Sequence, residues 1–295
     1  MAAMGDSRAA TAGQAAAGAA DGAAGAKALG GQVAAQILAS AKYGGLDPAL
    51  VRRVAGEAAQ RFGNRAQALK YARRKLHQAF GAFLVGSPVQ AVNGVVAAVS
   101  SGQADVREAA VSAMRSHASA AQRAGLLVPF YAQVAAWCGE PGSVADLACG
   151  LNPLAIPWMA LAPGAAYWAC EIDGRLVAAL AQLDPIMPAR LTMSSRDLIV
   201  SPPRLRADVA LLLKTVPTLE QQSKGASGRL LAALDCRHVI LSLPRASITG
   251  RRQYANDAAA LVREVIAGTG YQWTGQATFG DELVCHLVQA AQSPR

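Results

Sequence analysis

The sequence has no Gly-x-Gly-x-x-Gly string, no Cys-x-x-Cys or Cys-x-x-His pair, and no long uninterrupted apolar run. Each absence removes a class of function. Without the full glycine cradle there is no place for a dinucleotide pyrophosphate at a helix N-terminus. The five cysteines (Cys138, Cys149, Cys170, Cys236, Cys285) are odd in number and widely separated, which indicates neither a disulfide framework nor a zinc site, and a reducing cytoplasm is the simplest compartment. The four histidines, His77, His117, His238 and His286, show no metal-ligand spacing, so no metal is expected. The longest uncharged stretch, residues 79–104, is interrupted by Ser87, Pro88, Gln90 and Asn93, and no basic segment leads into a leucine-rich core at the N-terminus, so no membrane crossing is expected. Acids are also few. Against 28 Lys and Arg stand 19 Asp and Glu, a net charge of +9, which favours polyanionic partners such as RNA or DNA over acidic small substrates.

What is present is concentrated in two places. The first is the run Val144-Ala-Asp-Leu-Ala-Cys-Gly-Leu-Asn-Pro-Leu-Ala155, followed by Tyr167-Trp-Ala-Cys-Glu-Ile-Asp173. It reads as strand, tight glycine turn, helix, and a second strand ending in acid. In doubly wound α/β folds the turn after the first strand lets the backbone approach a cofactor, and an acid about 20 residues later accepts hydrogen bonds from ribose hydroxyls. Glu171 lies twenty-one residues after Gly150. A nucleotide-type cofactor without phosphates fits this turn, and S-adenosylmethionine is the common one. An ordinary βα turn with solvated acids has the same spacing, so both readings stand at this point.

The second is a basic window between Lys42 and Ala82, where nine Lys and Arg face Asp47 and Glu57 alone and leave a net charge of +7. Asp47-Pro48 reads as an N-cap followed by proline at the first helical position, and Gly63-Asn64 as a stop and a new cap. In the next helix Leu69, Ala72, Leu76, Phe80 and Phe83 fall on one face, while Lys70, Arg73, Arg74 and His77 share another. With so little acid to neutralise it, the basic face is read as a phosphate-contacting surface rather than a merely solvated one.

Organisation follows from these two centres. Residues 1–30 hold fourteen Ala and six Gly with no large apolar residue between Met4 and Leu29, and are read as a flexible tail through residue 31. Residues 32–104 are read as a helical, basic docking domain and 105–295 as an α/β domain. Phe130, Tyr131 and Trp137 are assigned to core. Strands are expected near 143–148, 166–171, 190–194, 207–213 and 238–243, alternating with helices as a parallel sheet demands, with a closing pair near 271–278 and 282–289. That closing hairpin marks a methyltransferase sheet rather than a dehydrogenase one.

The turn after the fourth strand, where such a fold presents its methyl acceptor, reads Leu213-Lys214-Thr215-Val216-Pro217. It has neither the Asn/Asp-Pro-Pro-aromatic tetrapeptide of amino-group methylases nor the cysteine that pyrimidine C5 methylation needs. A ring nitrogen with a free lone pair, such as guanine N7, needs neither, since no proton has to be removed before attack.

The run Asp146-Leu-Ala-Cys-Gly-Leu-Asn-Pro-Leu154 with Pro157-Trp158-Met159, the segment Leu211-Leu-Leu-Lys-Thr-Val-Pro-Thr-Leu-Glu220, and Arg73-Arg-Lys-Leu-His-Gln78 closely resemble the aminoglycoside-resistance 16S rRNA (guanine-N7) methyltransferases, which act on the decoding-site guanine conventionally numbered 1405. The resemblance covers roughly residues 33 to 290. It implies a Rossmann-like class I S-adenosylmethionine-dependent methyltransferase sheet with an N-terminal helical domain, docking as a cytoplasmic monomer on helix 44 of 16S rRNA in the 30S subunit. It assigns Arg123 to the methionine carboxylate, Asp146 and Gly150 to the cofactor turn, Glu171 to the ribose, Asp197 and Leu198 to the adenine, Lys214 and Thr215 to positioning at the acceptor turn without a general base, and Lys70, Arg73, Arg74, Lys75 and Arg251 to rRNA. Trp158 and Tyr254 are candidates to stack on the target base. The chain departs from the family in having Glu171 where Asp is frequent, in the 117–124 segment that keeps only Arg123, and in the 247–255 loop, where Arg251 is kept but Gln253 replaces a lysine. An S-adenosylmethionine-dependent methyltransferase of another rRNA position, such as adenine N1, and a non-catalytic 30S-binding homologue are the alternatives.

Overall fold

Asp47 and Pro48 begin a helix for a local reason. The Asp47 carboxylate accepts from the backbone N–H groups of Ala49 (2.8 Å) and Leu50 (3.3 Å), satisfying donors that the first helical turn leaves open. Asn64 does the same for the next helix, accepting from Ala66 (2.9 Å) and Gln67 (3.3 Å). In the computed structural model, which describes residues 6–80, 87–115, 118–244 and 258–290, these caps open α2 (Pro48–Arg61) and α3 (Arg65–Phe80).

The chain divides into two units, Met1–Gln78 and Ala79–Arg295. The first is built on α1 (Asp6–Leu38), α2 and α3. Helix α1 begins at Asp6, within the stretch of residues 1–31 that the sequence marks as a flexible tail. Val33, Ala34 and Ile37 are buried at its C-terminal end, which anchors the helix; alanine, the best helix former, then propagates it through the interspersed glycines. A Cβ on Gly30 would lie 3.3 Å from the Gly56 Cα, so α1 and α2 approach at a point that admits no side chain. On α3 the buried residues are Ala68, Ala72, Leu76 and Phe80, one helical turn apart, while Leu69 is half-buried and Phe83 lies outside the described residues.

The second unit opens with α4 (Pro88–Ser100), α5 (Val106–Arg115), α6 (Ala118–Ala124) and α7 (Leu127–Cys138). The sequence partition placed residues 88–100 with the basic domain. Here Val92 and Val95 of α4 are buried in the same cluster as Phe130, Tyr167 and Leu180, because α4 has no charged residue and can bury its valines against the sheet layer.

Seven strands follow: β1 (Ser143–Leu147), β2 (Ala166–Glu171), β3 (Arg190–Ser195), β4 (Arg206–Leu213), β5 (Asp235–Pro244), β6 (Tyr271–Phe279) and β7 (Glu282–Gln289). Their order is β3-β2-β1-β4-β5-β7-β6, with β1 to β5 parallel and β7 antiparallel to both β5 and β6. All seven lie where alternation and turn residues placed them. One face is covered by α4 to α7 with α8 (Gly174–Ala181), the other by α9 (Val216–Gln222), α10 (Ala226–Ala233) and α11 (Ala258–Ile266). Strand order reverses between β1 and β4, which opens a crevice at their carboxyl ends, the place where such sheets bind ligands. Among the described residues no helix is long and apolar enough to cross a membrane.

Candidate active site

The crevice begins at the end of β1. Ala148 (φ 55°) and Gly150 (φ 53°) both adopt left-handed backbone, and the turn closes with the Cys149 N–H donating to the Cys170 carbonyl at 2.9 Å. A non-glycine residue held in that region is a strained conformation of the kind that clusters at ligand sites. From Gly150 the chain enters the expected helix as a 3₁₀ helix, Asn152–Trp158; Pro153 and Pro157 withhold N–H groups that a longer α-helix would use.

Glu171, at the end of β2, reaches back over this turn. Its carboxylate accepts from the Gly150 N–H (2.9 Å) and the Ile172 N–H (2.6 Å). Burial raises its pKa, and the backbone donors oppose the rise. The twenty-one-residue spacing therefore corresponds to a direct contact.

Deeper in, Asp146 is buried on β1 and accepts at Oδ2 from the Tyr167 hydroxyl (2.6 Å) and the Asn152 amide (2.9 Å). Desolvation pushes its pKa up to about 6. The Asn152 carbonyl oxygen accepts in turn from Tyr131 (2.6 Å) and from Arg123 (3.3 Å). Asn152 thus joins an acid to a base. Arg123 is itself 7% exposed, its guanidinium 4.8 Å from the Phe130 ring centroid, and it pairs with Glu282. Burial, the largest single influence, works against that guanidinium's charge, but Glu282 together with Tyr131 and Asp146 reverses it and the pKa is raised.

Glu282, the first residue of β7, is the hub of the second half. It accepts from Arg123 and Ser242 and lies 3.4 Å from Lys214 Nζ. Burial alone would raise its pKa; the two cations reverse the shift and hold it below the ordinary carboxylate range. Lys214 occupies the turn after β4 in left-handed backbone (φ 59°), its N–H donating to the Ser242 hydroxyl (2.9 Å) and its Nζ to Gln122 (3.2 Å). Desolvation lowers its pKa. The Thr215 hydroxyl donates to the carbonyls of Leu213 (3.2 Å) and Leu147 (3.4 Å), which fastens this turn to the end of β1.

Asp197 and Leu198 follow β3 and are both buried, with Asp197 accepting from the Ile199 N–H at 2.9 Å. The structure therefore places Arg123, Asp146, Gly150, Glu171, Asp197, Leu198, Lys214 and Thr215 at the carboxyl ends of β1 to β4 or against them. Lys70, Arg73 and Arg74 are exposed on α3, and among the described residues none has an acid partner; Lys75 is half-buried, with Nζ 5.8 Å from the Tyr71 ring centroid. Trp158 lies under Arg107, whose guanidinium is 5.6 Å from its ring centroid and donates to the Pro157 carbonyl. Arg251, Gln253, Tyr254 and His117 lie outside the described residues. Phe130 and Tyr131 are core, as assigned, whereas Trp137 is half-buried. Sequence reasoning missed the bridging roles of Tyr131, Asn152, Tyr167, Ser242 and Glu282. Asn152 stood inside the motif, but Glu282 had no signal beyond its place after the Gly280-Asp281 turn. Sequence spacing also gave no hint that Cys138, His238 and His286 converge.

Among the described residues, two buried polar atoms of this crevice have no hydrogen-bond partner: Asp146 Oδ1, an acceptor, and Arg123 Nε, a donor. Buried groups of this kind are ordinarily satisfied, so an orphan acid oxygen and an orphan guanidinium N–H on either side of Asn152 call for a ligand with both polarities. The ammonium and carboxylate of an amino-acid end match them.

Residues 39–284 match the family described as ribosomal RNA methyltransferase (FmrO). The chain belongs to that family. A 16S rRNA (guanine(1405)-N(7))-methyltransferase of Micromonospora olivasterospora is 49% identical over 260 residues, 86% of this chain and 87% of the relative. Among solved structures, an rRNA methylase from Escherichia coli superposes with a TM-score of 0.73 at 29% identity, covering 88% of this chain and 99% of its own. The 16S rRNA methyltransferase RmtF in complex with S-adenosyl-L-homocysteine does so with a TM-score of 0.75 at 26% identity, covering 88% and 98%.

Proposed function

We propose that this FmrO-family chain transfers a methyl group from S-adenosylmethionine to N7 of guanine 1405 in 16S rRNA, acting as a cytoplasmic monomer on helix 44 of the assembled 30S subunit and so conferring resistance to aminoglycosides that contact that base. The observation that carries the reading is the pair of unpartnered atoms, Asp146 Oδ1 and Arg123 Nε, in the crevice at the β1/β4 strand reversal.

S-adenosylmethionine, when bound, supplies an electrophilic methyl group on a sulfonium. Arg123 holds the carboxylate and Asp146 the ammonium of its amino-acid end. Glu171, oriented by the Gly150 and Ile172 N–H groups, takes the ribose hydroxyls, and Asp197 and Leu198 frame the adenine. Lys214 and Thr215 form the acceptor turn, tied to Ser242 and to Leu147, and keep the incoming base in register. No side chain has to take a proton, because N7 attacks with a lone pair that is already free. Alignment of the reacting atoms then supplies most of the rate, an effect worth about 7 to 11 kcal/mol.

N7 lies in the deep, narrow major groove of A-form RNA, so the base has to leave its helix to reach the crevice. Shape is therefore read by docking. Lys70, Arg73, Arg74 and Lys75 on α3, with Arg251, contact rRNA phosphates.

The test is to incubate the protein with S-adenosylmethionine and either 30S subunits or naked 16S rRNA, then treat the RNA with borohydride and aniline, which cleave at N7-methylguanine. Strand scission at guanine 1405 in 30S subunits, and little in naked RNA, is the expected result. Scission at another guanine, a methylated adenine N1, no methylation, or equal activity on naked RNA would overturn it.

A further inference from the structure

On the strand pair β5–β7, His238 pairs across the ladder with Val288 and His286 with Ile240, which sets the two imidazoles diagonally on one face of the sheet. Their rings stack with centroids 5.1 Å apart, and His238 Nδ1 lies 2.9 Å from His286 Nε2. Cys138, the last residue of α7, completes the group: one ligand atom from each of Cys138, His238 and His286 lies within 4.8 Å of the other two.

We propose that Cys138, His238 and His286 form a binding site for one zinc(II) ion, which pins the C-terminal end of α7 to strands β5 and β7. Two imidazoles and a thiolate are the ligand types zinc takes, at about 2.0 to 2.1 Å for nitrogen and 2.3 Å for sulfur, with a fourth tetrahedral position left to water. Around such an ion the two nitrogens stand about 3.3 Å apart, a few tenths of an ångström wider than now. Cys138 and His238 are half-exposed, so an ion has a path in from solvent.

The surroundings fix one imidazole as a ligand. The Thr274 hydroxyl lies 3.3 Å from the His286 carbonyl oxygen and 3.0 Å from His286 Nδ1; we assign its one proton to the carbonyl, which only accepts, so that its oxygen accepts from His286 Nδ1–H. His286 is then the Nδ1–H tautomer and presents a lone pair at Nε2 toward His238. A hydrogen bond from the distal ring nitrogen to a neighbouring oxygen is the outer-shell device that orients metal-bound histidines. The Trp137 indole stacks on the other side of the His286 ring (5.4 Å, 8°), which further restricts its rotation. Of the nearby charges, Asp208 favours a cation at His238 and Arg237 opposes it. On binding, the Cys138 thiol loses its proton to solvent, and the one hydrogen that neutral His238 carries on Nδ1 shifts by way of solvent to its outer nitrogen, Nε2, which frees Nδ1 for the ion.

The experiment is titration of the full-length reduced protein with cobalt(II), then zinc(II). One equivalent of cobalt is expected to give a thiolate-to-cobalt charge-transfer band that one equivalent of zinc bleaches, and zinc is expected to raise the melting temperature. Cys138→Ser should abolish the band and the rise, and Thr274→Val should weaken zinc binding by about tenfold, as loss of an outer-shell partner does. Cys236→Ser, at a buried thiol outside the group, should change neither. If Cys138→Ser proves unstable, His238→Gln, at a half-exposed site, should reduce zinc affinity to the same extent. Absence of the band, or a band and melting shift that persist in Cys138→Ser or His238→Gln, would overturn the proposal.

Discussion

The basic face of α3 and the crevice at the ends of β1 to β4 use the same cations to opposite ends. Lys70, Arg73 and Arg74 stand in solvent without acid partners among the described residues, whereas Arg123 and Lys214 are withdrawn from solvent and share Glu282. An exposed charge keeps its hydration and its freedom, so each contributes little to the fold and remains available to a polyanion. A buried charge has surrendered hydration, so its partner is obligatory and its geometry is fixed. Burial, more than residue type, separates the proposed docking surface from the proposed reaction site in this molecule.

The sharpest way to break that contrast is at Glu282. Glu282→Ala leaves Arg123 and Lys214 buried together without a counter-charge and should cost about 3 to 5 kcal/mol of stability in denaturant unfolding, as removing one member of a buried ion pair does. A loss below about 1 kcal/mol, the range of exposed pairs, would show that water already solvates the cluster. Next in size, Arg123→Ala should weaken S-adenosylmethionine binding in calorimetry by about 1.5 to 3 kcal/mol, the worth of a hydrogen bond to a charged group, with a parallel loss in Glu171→Ala. Wild-type affinity in either variant would remove that residue from the cofactor site.

Asp146 sharpens the comparison through pH. Its folded pKa, about 6, lies above the ordinary value near 3.9, so the folded state holds this proton more tightly than the unfolded chain does. Its contribution to stability is therefore complete below about pH 4 and is lost as the pH rises through about 6. Urea unfolding at pH 5 and pH 8 should show part of that loss in between, about 1.4 kcal/mol, and Asp146→Asn should remove that part of the slope. An unchanged slope in the variant would assign it to other groups.

The smallest effects belong to α3. Single changes such as Arg73→Ala or Arg74→Ala should move stability by less than about 0.5 kcal/mol, while each phosphate contact removed lowers the salt slope of 30S binding by about 0.7 to 0.9. Salt dependence that survives all four changes at Lys70, Arg73, Arg74 and Lys75 would return this face to an ordinary solvated surface.

Local signals were legible wherever neighbours in sequence are neighbours in space. The Asp47 and Asn64 caps and all seven strands could be read that way, since a cap is a contact across two or three residues and a strand shows its own alternation. The Glu171-to-Gly150 relation was legible too, because a single βαβ unit has little choice in where its acid falls. Illegible were contacts whose partners come from distant elements: Arg123 to Glu282 spans 159 residues, and Asn152 binds Tyr131 from a helix before the sheet begins. The partners of residues 88–100 were illegible for the same reason, since their apolar face says that they pack without saying against what.

By itself, then, the sequence determined the strand-by-strand content of the sheet, the glycine turn with its acid, the family, and where the excess positive charge resides, all properties written in residues a few positions apart or in composition. Only the tertiary structure decided that an aspartate, an asparagine, an arginine, a lysine and a hairpin glutamate form one buried chain of contacts, and that one cysteine and two histidines with no common spacing stand face to face. Those outcomes depend on how helices and strands from separate parts of the chain are laid against one another, and desolvation, which gives each group its final charge and its task, exists only once they are.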